Sequence, residues 1–455
     1  MLAKFKKKYI GDWDFYQKYL LLAIPMILQN AITNLVSFLD NIMVGQLGTE
    51  QMSGVAIVNQ LIFVYNLAIF GAVSAASIFG AQYFGKGNHK GHMYSFRFKL
   101  YATLLVTGGA ILLFLTKGSA LISLYLTDTV GNGATDLALQ YGLEYLAIMM
   151  VGLIPFAVNQ SYATNIKETG QTFIPMLASF VAVGTNAILD YLMIFGIGPF
   201  PELATVIARY IEALIVVIWA HIHRGKNRYL EGAYTGFGIP LAELKAILIK
   251  GFPLMMNEVL WAAGMTTVTQ CYSVRGLNVV AGLNIASTIT NLFNIVYLQL
   301  GSCISIVVGQ YLGAGKLEDA KDADNKMIVF SVFCCVIMAA LMFVVGGFFP
   351  GIYNTTEEIR ELATSFIAVS AIIMPFCAFS HASYFTLRSG GKTVVTFLFD
   401  SVFTWVIVVP AAYLLAHFTG LGIVSIYFLV QGTELIKVII GYLMVKSNVW
   451  VVQMV

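Results

Sequence analysis

Gln82-Tyr83-Phe84-Gly85-Lys86-Gly87 and Gln310-Tyr311-Leu312-Gly313-Ala314-Gly315 close two copies of one pattern, residues 25–87 and 253–315, offset by 228 positions without a gap. Twelve of the 63 aligned positions are identical. The identities gather on Pro25/Pro253, Gly48/Gly276, Gly54/Gly282 and Asn66/Asn294, and on the closing Gln, Tyr and Gly. These residue types set bends and close backbone approaches, so the shared positions read as scaffold. Acids are not shared: Asp40 stands opposite Val268, and Glu258 opposite Asn30. Carboxylates kept in one half only point to specialised work on a duplicated frame.

Composition places that frame in a bilayer. Of 455 residues 58% are hydrophobic and 11% charged, with mean hydropathy +0.81, whereas a soluble domain carries about 25% charged residues. A net charge of +3 gives no reason to expect nucleic acid as a partner; the expected partners are the lipid bilayer and small molecules. Cys271, Cys303, Cys334, Cys335 and Cys377 lie in apolar stretches and form no C-x-x-C, so neither a disulfide framework nor a structural metal site is indicated. The absence of a G-x-x-x-x-G-K-[ST] run argues against ATP-driven work. No nucleophile–base set or paired His suggests an enzyme: His221 and His223 are two apart and fall in a polar link. A duplicated membrane chain with no nucleotide site reads as a secondary transporter.

A span needs about 20 mostly apolar residues. Twelve are expected: 20–44, 53–84, 98–125, 139–163, 173–197, 203–223, 247–272, 279–312, 327–349, 362–386, 394–417 and 421–445. Lys and Arg cluster before the first span and after spans 2, 6, 8 and 10, while the alternate loops hold only Arg275 and Arg360. By the positive-inside rule both termini are cytoplasmic. The basic start lacks a short apolar core with a cleavage site, so residues 1–19 read as a cytoplasmic tail. The expected division is an N-lobe over 20–223, a cytoplasmic link over 224–246, a C-lobe over 247–445 and a tail over 446–455. A second match, at offset 221, aligns Lys167…Gly170-Gln171-Thr172 with Arg388…Gly391-Lys392-Thr393 and reads as a tight turn between spans.

Ile24-Pro25-Met26, Phe38-Leu39-Asp40-Asn41 through Val44-Gly45, Gly80-Ala81-Gln82-Tyr83-Phe84-Gly85, Lys167…Gly170-Gln171-Thr172 and Asn186…Asp190, in this order on a duplicated twelve-span chain, resemble the multidrug and toxin extrusion (MATE) family over essentially the whole length. The resemblance implies an all-α polytopic membrane protein with twelve transmembrane helices in two pseudo-symmetric six-helix lobes, V-shaped about a central cleft. It implies a bacterial inner-membrane antiporter that exports organic, often cationic compounds in exchange for Na+ or H+, with no other cofactor. A monomer is expected. The alternative is a lipid-linked sugar flippase or polysaccharide exporter of related fold; few basic residues within spans argue against pyrophosphate recognition. At Pro201-Glu202-Leu203 the chain departs from the family by starting span 6 abruptly, which leaves the register of Thr205 and Arg209 to the structure.

The candidate residues follow. An intramembrane Asp costs about 2.5–3.5 kcal/mol on insertion scales, and Asp40 is where the resemblance puts the N-lobe coupling carboxylate. Asn186 and Asp190, at i and i+4, share one helix face. A carboxylate with an amide oxygen suits Na+ or a proton, and the resemblance assigns the pair to the same site as Asp40. Asn159 and Thr205 could complete an oxygen cage for Na+. Glu258, one turn before Trp261, could meet an organic cation through charge and cation–π attraction, although the family's Glu in this span lies at the Trp261 position. Pro25 provides a bend in span 1. Arg209 and Glu212, at i and i+3, are expected to neutralise each other. Asp400 and His381 are not assigned a role.

Overall fold

The computed structural model describes residues 8–44, 49–126, 132–193 and 201–455, and the side chains at 35–44, 49–52, 132–135 and 201–202 lie outside the description. Among the described residues the chain is helical, with no strand. The principal helices of the first half are α1 (Trp13–Val44), α2 (Thr49–Lys86), α3 (His89–Ser123), α4 (Asn132–Val151), α5 (Leu153–Glu168), α6 (Phe173–Leu192) and α7 (Pro201–Ile222). Those of the second are α8 (Leu241–Ser273), α9 (Leu277–Gly313), α10 (Leu317–Gly346), α11 (Glu357–Ser389), α12 (Thr393–Phe397), α13 (Val409–Phe418), α14 (Ile423–Gly432) and α15 (Glu434–Lys446). Two π-helical turns, Leu398–Val402 and Thr404–Val408, join α12 to α13.

Ten stretches among the described residues are long and apolar enough to cross a membrane, and a bent pair, Asp136–Val151 with Leu153–Glu168, makes an eleventh. The second to the twelfth expected spans each fall on one of these, and α1 carries the first. Helices overrun the apolar segments at the ends rich in Lys and Arg, as in His89–Ser123 where 98–125 was expected. A helix keeps its hydrogen bonds internal whether or not lipid surrounds it. Large apolar side chains face outward along these helices, with Leu105 78% exposed and Leu115 68%, as a lipid-facing surface requires.

The expected span 139–163 bends by 42° between α4 and α5. Pro155 has no N–H to give the carbonyl four residues back, at Val151. Side chains of other helices reach the carbonyls around the bend: Tyr65 Oη donates to Leu153 O at 3.0 Å, while Arg209 Nη1 and Tyr210 Oη approach Gly152 O and Val151 O at 3.5 Å.

Contacts group the chain into two compact units. One holds Met1–Ile27, Ala81–Gly87 and Leu248–Val455, the other Leu28–Gly80 and Asn88–Ile247. α1 therefore passes from one unit to the other just after Pro25. Its first half packs in the first unit, where Tyr19, Ala23 and Met26 join Leu300, Cys303 and Ile304 in one apolar cluster and Tyr19 Oη donates to Leu300 O at 2.9 Å.

The closing hexamers explain their own repetition. Within the first unit a Cβ on Gly85 would collide with the backbone of Gln310, and one on Gly313 with that of Gln82. The contact is reciprocal between aligned positions of the two copies. Gln82 then bridges outward: Nε2 donates to Ser389 O at 2.9 Å and Val452 O at 3.2 Å, and Oε1 accepts from Met454 N at 2.8 Å. The second match is also one structure used twice. Gly170 and Gly391 have φ of +81° and +68°, and their N–H groups donate to Lys167 O and Arg388 O at 2.9 Å.

The link after α7 is ordered against its own unit. Tyr229, Leu230 and Ala233 are buried with Met93, Phe96 and Tyr162. Arg97 grips three of its carbonyls, with Nε to Ala233 O at 2.9 Å, Nη1 to Gly238 O at 2.7 Å and Nη2 to Gly232 O at 2.6 Å.

Candidate functional site

In the second unit α5, α6 and α7 pack together and carry the N-half candidates. Asn186 and Asp190, 4% and 3% exposed, lie on the buried face of α6. The rest of that face is small (Ala178, Ser179, Ala182), so neighbouring helices come close enough for short polar side chains to meet across the gap. Thr205 on α7 is one of those they meet: Asn186 Nδ2 donates to Thr205 Oγ1 at 3.4 Å. This fixes the register left open at Pro201. Asp40 lies on α1, but its side chain is outside the described residues.

Asn159 on α5 is buried, 3% exposed, and lies within hydrogen-bonding reach of Glu212 rather than among the Asn186 contacts. The Glu212 carboxylate also accepts from Ser179 Oγ, and Ser179 in turn accepts from Gln29 Nε2 of α1 at 2.8 Å. Arg209 and Glu212 form no direct ion pair, although each stays in Coulombic range of the other. Arg209 reaches the Gly152 carbonyl at the bend, which also accepts from Phe156 N, and lies 5.4 Å from the Phe156 ring centroid. Sequence spacing put Arg209 and Glu212 on one face; the hydrogen bond Arg209 makes goes to the Gly152 carbonyl.

The C-half candidates lie in the first unit. Glu258, on α8, stands in Coulombic range of Arg388 and Asp400, and Trp261, one turn on, is 37% exposed. The residue left unassigned from sequence, Asp400, is the most connected. Its Oδ1 accepts from Lys437 Nζ at 2.7 Å and its Oδ2 from Asn257 Nδ2 at 3.1 Å. Asn257 Oδ1 accepts from Ser401 Oγ at 2.8 Å. Asp400 sits in the first π-helical turn, where the extra residue per turn shifts the side chains from the α-helical register. His381 Nδ1 lies 3.0 Å from Cys377 O, and its ring packs 4.7 Å from that of Tyr297. Among the described residues no group of three or more His, Cys, Asp or Glu is placed to hold a metal ion.

Lys437 and Gln29 were missed in the sequence. Lys437 lay among end-of-span charges, and Gln29 lay in the repeat opposite Asn257. That alignment was the available signal, since both turn out to be amides that bind a polar residue of a later span.

The MatE family profile matches residues 25–192 and 253–414, so each match begins at a proline of the repeat. The chain is similar to a probable multidrug resistance protein NorM of Halalkalibacterium halodurans, 24% identical over 413 residues that cover 89% of this chain and 88% of the relative. A probable NorM of Thermotoga maritima is 22% identical over 413 residues, covering 89% and 86%. Among solved structures, an outward-facing multidrug resistance MATE transporter aligns with TM-score 0.86 at 19% identity, covering 96% of each chain. A transporter of the MOP superfamily from Pyrococcus furiosus, described as having a binding pocket of reversed polarity, aligns with TM-score 0.85 at 19% identity over 96% of each.

Proposed function

This chain belongs to the MatE family, and on that premise we propose that it is a secondary antiporter exporting organic, often cationic and amphipathic compounds in exchange for Na+ or H+. The observation that carries the reading is the buried set of oxygens on α6 and α7. Asp190 and Asn186 are almost fully enclosed in apolar spans, and Thr205 closes on Asn186. A carboxylate enclosed in a membrane span is costly, and a bound cation or proton offsets that cost. Asp40 completes this coupling set. The multidrug names of the bacterial relatives support small organic substrates, and the alternation of basic loops supports an inner-membrane protein with cytoplasmic termini.

Exchange follows from differential binding. The coupling ion shifts the equilibrium between inward- and outward-open states only by as much as its affinity for the two differs. Loading the Asp40, Asn186 and Asp190 pocket removes a net negative charge from between helices and so changes which packing of α1 against α6 is favoured. Glu258 and Trp261 are assigned to contact with the organic cation.

The test is dye efflux from proteoliposomes, with a Na+ gradient and a pH gradient imposed separately. One of the two should drive efflux. Asp40→Asn should abolish gradient-driven efflux while the protein stays folded and inserted. Glu258→Gln should alter substrate response more than ion response. Efflux by Asp40→Asn at the wild-type rate would sink the coupling assignment.

A further inference from the structure

The second match of the repeat does not stop at the turn. Carried on at offset 221, it sets Asn227 of the link against Asn448, and Tyr229 against Trp450. The local fold repeats as well. Each Asn stands after the last helix of its half, and its carbonyl accepts from the N–H three residues on, Leu230 N at 2.9 Å and Val451 N at 3.0 Å. The aromatic residue between them is 1% exposed in both halves. Tyr229 is buried with Met93 and Phe96, near the start of α3. Trp450 is buried with Ala320, Ala323 and Met327, near the start of α10. Large rings enclosed in this way hold a segment in place by apolar burial. Residues 447–454, expected from sequence to be a plain tail, are therefore the C-half counterpart of the docked link.

What grips each segment differs. In the N half Arg97 holds the carbonyls of Gly232, Ala233 and Gly238, and α3, which carries Arg97, lies wholly within one compact unit. In the C half the grip comes from Gln82, a buried residue near the end of α2. Its Nε2 donates to Val452 O at 3.2 Å and to Ser389 O at 2.9 Å, and its Oε1 accepts from Met454 N at 2.8 Å. Gln453 Nε2 adds a bond to Gly313 O at 3.1 Å, and a Cβ on Gly390 would collide with the backbone of Trp450. The segment thus ties both closing hexamers and the turn after α11 into one block. Yet α2 is itself divided, with Thr49–Gly80 in one unit and Ala81–Lys86 in the other. A helix is held by its own internal hydrogen bonds, so a displacement of its longer part arrives at Gln82, next to the division. Two of the segment's ties end on that one side chain and form or break together.

We propose that residues 447–454 form a clasp, with Gln82 as its positioning residue, that closes on the last turn of α2 in one state of the export cycle and lets go in another. Closed, it stabilises the state in which its contacts are made, by the free energy of those contacts. Open, it frees Gln82 and the backbone groups of Val452 and Met454 at the Lys-rich end of the spans, where water replaces the lost partners. The N-half counterpart stays docked throughout, because Arg97 and the carbonyls it holds belong to one unit. The cycle in this proposal rests on the export reading; the clasp itself does not.

Two measurements on lipid-reconstituted full-length protein test it. A Cβ on Gly391 would run into the thioether of Met454, which puts Gly391→Cys and Met454→Cys within reach of a disulfide. Oxidation of the double variant pins the clasp shut. Gradient-driven efflux should then stop and return with dithiothreitol, whereas the oxidant should not change the rate of either single variant. Efflux that continues with the disulfide fully formed overturns the release, and failure of the two thiols to couple counts against the docked segment. The second measurement is hydrogen exchange, which needs no transport and so separates a failed clasp from a failed export reading. Gln82→Ala should speed exchange in residues 449–455 by about tenfold or more, while residues 434–445 of α15 stay protected. Exchange in 449–455 that does not change, or that rises equally along α15, overturns the clasp.

Discussion

Lys99 is completely buried, and its Nζ donates to Glu168 Oε1 at 2.5 Å and to Asn165 Oδ1. His92 approaches the other carboxylate oxygen at 3.3 Å, and Gly80 leaves the room in which Glu168 lies. From sequence, Lys99 counted only as one of the basic residues after span 2. Its partner is 69 positions away, and no local pattern announces such a pair. Removing one member of a buried pair strands the other and costs about 3–5 kcal/mol. Lys99→Met should therefore lower the thermal midpoint of the purified protein markedly, and Lys99→Met/Glu168→Leu should recover most of the loss. Equal destabilisation by the single and double variants would show that the pair is not a coupled unit. By contrast Asn186 and Asp190 were legible, because i and i+4 on a helix fixes their common face whatever packs against it.

Helices α2 and α9 end in the same hexamer because each end is pressed against the other. Gly85 and Gly313 face backbone, which cannot rotate aside as a side chain can, so a single methyl group is not accommodated. Gly85→Ala should reduce the yield of folded protein and its thermal midpoint by more than Gly108→Ala, whose added Cβ would meet open space. Similar midpoints for the two would refute the close-packing role. The repeat in sequence identified these glycines but not the contact, which joins residues more than 200 positions apart. The bend between α4 and α5 was missed for another reason. Hydropathy runs through Gly152 and Pro155 without a break, and only the loss of one backbone donor marks the place. Its consequence reaches the site, because Arg209 places Nη1 at the Gly152 carbonyl of the bend.

At the scale of the whole molecule, α1, α2 and α8 are each divided between the two compact units, at Ile27/Leu28, Gly80/Ala81 and Ile247/Leu248. Pro25 has no N–H for the regular helical hydrogen bond two residues before the change in α1. Pro25→Ala supplies a backbone N–H at this position. It should leave the thermal midpoint near or above wild type while slowing gradient-driven efflux in proteoliposomes; wild-type efflux would remove Pro25 from the transport cycle. The sequence by itself determined the duplicated all-helical membrane architecture, the position of almost every span and the face shared by Asn186 and Asp190. Those follow from local quantities: apolar length, charge in loops, residue spacing and an internal alignment. Tertiary structure alone decided that Thr205 meets Asn186, that Glu212 is held by Ser179 while Arg209 reaches Gly152 O, and that Lys437 neutralises Asp400. Each of these depends on which side chains from distant helices fill one small low-dielectric volume, where a charge or an amide oxygen must find its partner in space rather than along the chain.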